Sequence, residues 1–130
     1  MNLNQVTLPT RDLARSISFY QTFGLRLIVH APPRYARFEC PDGEATFSLH
    51  HVDELPSGGG AWVYFECDDL DEHVENLRLQ GIEFLSPPTD ESWRWREARL
   101  LDPDNNQLIL FHAGEDRKNP PWRLKDDQAE

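Results

Sequence analysis

The sequence is short of cysteine, of positive charge and of long apolar runs. Its 130 residues include only two cysteines, Cys40 and Cys67. Both fall in strand-like runs, where a small apolar thiol packs well. They read as buried free thiols in a reducing cytoplasm, with a disulfide or a reactive thiol as the alternative. Lysine and arginine total 13 against 23 acidic residues, a formal net charge of −10. Such a balance excludes nucleic acid or an anionic membrane as the natural partner, because both would be repelled. No stretch approaches the roughly 20 apolar residues of a membrane span. Met1-Asn2-Leu3-Asn4-Gln5 has neither the basic start nor the apolar core of a signal peptide. What remains is a soluble cytoplasmic protein with a small-molecule or protein partner.

What is present is a strong hairpin. Trp93 to Leu101 and Gln107 to His112 flank Asp102-Pro103-Asp104-Asn105-Asn106. Proline presets φ at the turn, and Asp and Asn bond locally and tolerate a left-handed backbone. Upstream, Leu3 to Leu8 alternates as a half-buried strand ended by Pro9. Thr10 or Asp12 caps a helix with the apolar stripe Leu13, Ile17, Tyr20, stopped by Gly24. Leu25–Val29, Tyr35–Cys40 and Ala45–His51 are predicted strands, separated by a Pro32-Pro33 loop and a Pro41-Asp42-Gly43 turn.

The pattern then restarts. Asp12-Leu13 and Gly24 recur as Asp69-Leu70 and Gly81, 57 residues on, and Val6 and Leu8 recur as Val63 and Phe65. Trp62–Cys67 is a strand, Leu70, Val74 and Leu77 form a helix stripe, and Ile82–Leu85 is a further strand before a Pro87-Pro88 loop. Pro41-Asp42-Gly43 finds its counterpart in Pro103-Asp104-Asn105. Together these matches describe a tandem βαβββ duplication. The expected organisation is a first module over 1–53, a Gly-rich linker over 54–60, a second module over 61–113 and a charged tail over 114–130, all in one structural domain. The tail holds Trp122, which either frays with it or pins it to the body or to a partner.

Each helix should cover one face of its sheet. Period-2 alternation assigns to the other face Gln5, Thr7, Arg37, Glu39, Thr46, Ser48 and His50 from the first copy. The second copy contributes Trp62, Tyr64, Glu66, Glu97, Arg99, Ile109 and Phe111. That lining mixes aromatic and polar groups and points to a concave ligand cavity. Arg37/Glu39 and Glu97/Arg99 either neutralise one another or present an arginine to an anionic or carbonyl group. Of the histidines, His50 faces this lining. His51 points away from it, and no helix carries two histidines at metalloprotease spacing.

Gln5-Val6-Thr7-Leu8-Pro9-Thr10-Arg11-Asp12-Leu13 through Phe19-Tyr20 resembles the first strand and helix of the vicinal-oxygen-chelate superfamily. That superfamily includes glyoxalase I, bleomycin- and fosfomycin-resistance proteins and extradiol dioxygenases. Trp95-Arg96-Glu97 through Asp102-Pro103-Asp104-Asn105-Asn106 is similar to its last hairpin, with Asn105 where Gly is usual. The resemblance implies an α+β fold of two βαβββ modules whose mixed sheets curve round a shared cavity. It also implies a divalent metal held by four side chains, and by motif position these fall on Gln5, Ser48, Trp62 and Ile109. Trp and Ile cannot ligate a metal.

The expectation is therefore a homodimeric, metal-free member that sequesters a small, partly aromatic or planar molecule. Gln5, Thr7, Arg37, Ser48, His50, Trp62, Tyr64, Arg99, Ile109 and Phe111 would bind it, with no cofactor. The alternative is a metal-dependent lyase, isomerase or dioxygenase with a site rebuilt around Gln5, His50 and Glu66. A third reading is a protein-interaction module that uses the tail.

Overall fold

The structure is a computed structural model that describes residues 2–58 and 60–125. Gly59 of the expected linker and residues 126–130 of the tail lie outside the described residues, as does Met1. The elements follow in order: β1 (Gln5–Thr10), α1 (Leu13–Phe23), β2 (Arg26–Ala31), β3 (Tyr35–Glu39) and β4 (Thr46–His51). Then come β5 (Trp62–Glu66), α2 (Leu70–Leu79), β6 (Ser86–Asp90), β7 (Arg96–Leu101) and β8 (Gln107–His112), and last a short 3-10 turn over Gly114–Arg117. They build two four-stranded sheets with the same connectivity, β1-β4-β3-β2 and β5-β8-β7-β6. In the first, β1 runs parallel to β4 while β4–β3 and β3–β2 are antiparallel. This is an α+β fold.

The chain divides into two compact units. One runs through Trp62 and also takes in Leu101–Gln107. The other comprises Val63–Leu100 and the residues from Leu108 on.

In the first unit Asp12 caps α1, its side chain accepting from Arg15 N at 3.0 Å. Gly24 closes the helix at φ 121°, its N–H reaching the Tyr20 and Gln21 carbonyls. That backbone belongs to glycine, because a Cβ would be strained there. Leu13, Ile17, Tyr20 and Phe23 are buried. The Tyr20 ring lies 4.5 Å from that of Phe47 and 6.0 Å from that of Phe38. Leu8, Ala36, Phe38, Phe47 and Leu49 complete the apolar face. Each of these large side chains contributes about 1.5–3 kcal/mol by leaving water.

The turn of the β7–β8 hairpin belongs to this same unit and is anchored in it by polar groups. Asp104 Oδ1 accepts from Arg15 Nη2 at 3.0 Å and from Arg11 N at 3.1 Å, and its Oδ2 from Ser16 Oγ at 3.1 Å. Asp102 accepts from the Tyr20 hydroxyl, from Asn106 Nδ2 at 2.8 Å, and from the Asp104 and Asn106 amides at 2.9 Å each. Both aspartates are buried. Asn105 takes φ 64°, and Gly43 of the β3–β4 turn takes φ 76°. The two copies solve the same left-handed position with the two residue types that tolerate it best.

In the second unit the stripe Leu70, Val74 and Leu77 is buried, as are Val63, Ala98, Leu100, Leu108 and Leu110 of the sheet. Asp69 stands at the helix start without a side-chain cap bond, and Gly81, just past the end, has φ 93°.

Three sequence expectations are corrected. Pro9 does not end β1, which continues to Thr10. The second strand begins at Arg26, not Leu25, and runs on to Ala31. The strand predicted over Ile82–Leu85 lies instead at Ser86–Asp90 and runs through Pro87-Pro88. The prolines share one explanation. β1 and β6 are edge strands, which need N–H donors toward a single partner only. In β6 both prolines fall where the register with β7 shifts, between Ser86 and Thr89. The register of paired strands, not local propensity, places that strand.

Candidate functional site

In the first unit, strand register decides which side chains meet on the sheet face opposite α1. Thr7 pairs with Ser48 and Gln5 with Thr46 across β1–β4. Arg37 pairs with Ser48 and Tyr35 with His50 across β3–β4. Directly paired residues share a face, so Gln5, Thr7, Tyr35, Arg37, Thr46, Ser48 and His50 form one polar surface. Its centre is a pair of hydroxyls. Thr7 Oγ1 and Ser48 Oγ are 2.6 Å apart, and Ser48 is fully buried. Beside it, Arg37 Nε donates to Tyr35 Oη at 2.9 Å. Burial pushes the Tyr35 phenol up, but the neighbouring Ser48 hydroxyl, the Arg37 hydrogen bond and the guanidinium charge outweigh it and hold the phenol below its ordinary value. Gln5 Oε1 accepts from Thr46 Oγ1 at 2.9 Å. His50 is exposed at the strand end.

Sequence reasoning passed over Tyr35 as a site residue, although the signal was available. It stands two positions before Arg37 on the same strand and so shares its face.

In the second unit the corresponding face is aromatic. Phe111 of β8 stacks on Trp95 with ring centroids 4.7 Å apart and planes 22° apart. Tyr64 of β5 meets both edge-on, at 5.6 Å from Phe111 and 5.9 Å from Trp95. Tyr64 is 40% exposed and Trp62 51%, whereas Ile109 and Phe111 are buried. The same unit holds a buried carboxylate. Glu97 is 2% exposed, and it accepts from Trp93 Nε1 at 2.8 Å and from Arg99 Nη2 at 3.1 Å. Trp93 and Trp95 were not among the sequence candidates, although both lie in the predicted first arm of the hairpin and Trp95, two positions before Glu97, shares its face by alternation.

Glu97 holds Arg99, Glu39 lies 3.7 Å from Arg26, and Arg37 binds Tyr35.

The donor set does not fit a divalent cation held by four side chains. Of the four motif positions, Trp62 and Ile109 carry no donor atom for a metal. The Gln5 amide oxygen is taken by Thr46, and the Ser48 hydroxyl is bonded to Thr7. Glu66, the acid of the rebuilt site, is also engaged. Its Oε2 accepts from the Ala113 and Gly114 amides at 2.8 Å each, capping the Gly114–Arg117 turn, and Arg117 lies 3.7 Å from Oε1. Among the described residues no three His, Cys, Asp or Glu side chains come together. Cys40 and Cys67 are half-buried, and burial with the nearby Asp42 pushes the Cys40 thiol up.

A separate open groove of about 870 Å³ runs along α2 and β6, lined by Val74, Arg78, Ile82, Phe84, Pro87 and Arg96 among others. No sequence candidate lines it. Arg94 ties Asp116 at 3.0 Å, so the tail begins as an ordered turn, and Trp122 beyond it is 56% exposed.

Two βαβββ sheets of identical strand order, each with its helix, define the glyoxalase/bleomycin-resistance fold class. The chain belongs to the Glyoxalase/Bleomycin resistance protein/Dioxygenase superfamily, whose family model matches residues 2–110. A glyoxalase/bleomycin resistance protein/dioxygenase from Nocardioides is similar at 30% identity and a TM-score of 0.77, covering 96% of this chain and 90% of its own. Lactoylglutathione lyase from Agrobacterium tumefaciens shares the fold at 18% identity and a TM-score of 0.73, over 95% and 97% of the two chains. So does a bleomycin-binding protein complexed with bleomycin, at 21% identity and a TM-score of 0.70, over 86% and 98%.

Proposed function

We propose that this protein binds a small, partly aromatic or planar molecule on the sheet face that α2 leaves uncovered in the second unit, and that it holds the molecule without a resident metal. The observation that carries the reading is the Tyr64–Trp95–Phe111 cluster. Stacked and edge-on rings, one of them well exposed, offer broad apolar area with little rotamer entropy to lose. Trp62 adds an exposed indole, and the uncovered face of the first unit offers hydrogen-bonding groups of its own in Gln5, Thr7 and Arg37. A bleomycin-binding protein of the same fold supports sequestration as the function. The motif positions filled by Trp62 and Ile109 weigh against a metal-dependent lyase or dioxygenase. As in the expectation drawn from the resemblance, the working form is a homodimer.

The test is a fluorescence and thermal-shift screen of aromatic and antibiotic-like ligands on the full chain. A ligand that quenches the indoles and raises Tm is expected. Tyr64→Ala and Trp62→Ala should each weaken it by about tenfold, the value of one aromatic contact. A best ligand indifferent to both substitutions would refute the reading.

A further inference from the structure

The short turn after β8 is tied to every segment that carries a ring of the second unit's aromatic face. We infer that this turn is a clasp, closed by the Arg94–Asp116 ion pair, which sets the place of Trp95 in that face and so the affinity for an aromatic ligand. Arg94 and Asp116 thereby become positioning residues of the face proposed above, on which the inference rests.

The rings hang from three places in the chain, each within two residues of a group that holds the turn. Tyr64 stands two residues before Glu66 on β5. Glu66 Oε2 accepts from the Ala113 and Gly114 amides at 2.8 Å each. Phe111 stands two residues before Ala113. Trp95 directly follows Arg94, whose Nε donates to Asp116 Oδ2 at 3.0 Å. Arg117, at the end of the turn, lies 3.7 Å from Glu66 Oε1. Glu66 therefore ties the turn to β5, and Arg94 ties it to the hairpin loop that delivers Trp95.

Arg94 performs this task from a costly position. The loop between β6 and β7 closes with Arg94 N donating to the Glu91 carbonyl at 3.1 Å and Glu91 N to the Trp95 carbonyl at 2.8 Å. Arg94 takes φ 70°, a left-handed backbone that tight hairpin loops ordinarily give to glycine or asparagine. Glycine would serve the backbone better. What arginine adds is a side chain that reaches Asp116. Its two neighbours in the loop carry the indoles. Trp93 donates to the buried Glu97 at 2.8 Å, and Trp95 stacks on Phe111 at 4.7 Å. Adjacent residues of so short a loop move together, so releasing Arg94 lets Trp95 shift against Phe111 and Tyr64. The guanidinium is more than half exposed, so the pair is weak as a source of stability. Its contribution is placement.

The experiment uses the full chain with 5-fluorotryptophan, whose four resonances are assigned by Trp→Phe variants. Neutral 2-naphthamide is the fluorescence probe, so that no ligand charge enters. Asp116→Asn and Arg94→Gly should each move the Trp95 fluorine resonance and weaken the probe by about fivefold. The double variant should weaken it no further than either one. Arg94→Gly should do this without lowering the urea midpoint, because glycine relieves the left-handed backbone. A merely structural contact would lower the midpoint and leave Trp95 in place. In the unsubstituted chain, about 1 M chloride should carry the Trp95 resonance toward its Asp116→Asn position. Glu75→Gln, which breaks the exposed pair with Arg78 on α2 of the same unit, should change neither Trp95 nor the probe.

A Trp95 resonance that stays in place in both variants overturns the inference, as does an unchanged probe affinity when Trp95 has moved. Failure of the aromatic-ligand reading looks different. The probe would not quench the indoles of the unsubstituted chain, but Trp95 would still answer to Asp116→Asn, which leaves the clasp standing as the support of Trp95.

Discussion

Glu97 and Tyr20 bury polar atoms in the two units, and each is tied to named partners. Glu97 accepts from Trp93 and Arg99. Truncation to alanine leaves an indole N–H and a partly buried guanidinium without their acceptor, at a cost of about 2–3 kcal/mol, below the full penalty for a broken buried pair because water reaches Arg99. Glu97→Gln keeps the shape and the Trp93 acceptor and should cost about half as much. Urea unfolding of both variants measures this. Tyr20 is fully buried and donates to Asp102. Burial first, and then the Asp102 and Asp104 charges, push its phenol well above the ordinary value. The sign follows directly. The unfolded chain releases this proton near pH 10 and the folded chain does not, so the stability is complete below that pH and is lost above it, at up to about 1.4 kcal/mol per pH unit. Tyr20→Phe should cost about 1–2 kcal/mol at neutral pH and flatten the alkaline decline, as read by urea midpoints between pH 8 and about 11.

The β7–β8 turn is the element on which the first unit depends beyond its own strands. Arg15, Ser16 and the Arg11 amide converge on Asp104, whose side chain is shut off from solvent. Burial raises its carboxyl, but the hydroxyls of Thr10 and Ser16, the Arg11 amide and the Arg15 charge together hold it below the ordinary range. A lowered carboxyl stabilises above its unfolded value and loses that stability as pH falls below about 4. Asp104→Asn should lower stability at pH 7 by about 1–2 kcal/mol and make the acid limb shallower, as followed by circular dichroism from pH 7 down to about pH 2.

The turn was readable from Asp102-Pro103-Asp104-Asn105-Asn106 alone, because proline and asparagine fix local φ. Its anchoring was not, because Tyr20 and Asp102 are 82 residues apart in sequence. The prolines show the same limit. Pro9 and Pro87-Pro88 read as stops until the sheet order places both of their strands at edges.

At the scale of the whole molecule, the repeat correctly foretells two sheets of one strand order, each with one helix. It does not foretell that Leu101–Gln107 of the second copy group with the first unit. The candidate site was partly readable. Alternation places Thr7, Arg37 and Ser48 on one face and Tyr64 and Phe111 on another, and the register agrees. Alternation extends to Tyr35 and Trp95 as well, but only the structure shows one as the acceptor for Arg37 and the other stacked on Phe111. Two outcomes belong to the intact protein. Purified without chelator, it is expected to hold far less than one metal per chain by elemental analysis, and stoichiometric metal retained through dialysis would refute the metal-free reading. Sedimentation should give twice the 15.1 kDa chain mass.

What the sequence determined by itself is whatever follows from neighbours along the chain. It set the period of each strand and helix, the glycine stops at 24 and 81, the left-handed turn residues and the acidic balance. Tertiary structure alone decided which strands are edges, and so where prolines are tolerated. It also decided which acid answers which arginine and which phenol receives a guanidinium. These depend on groups brought within about 3 Å by register and packing, distances over which hydrogen bonds form and to which linear spacing is blind.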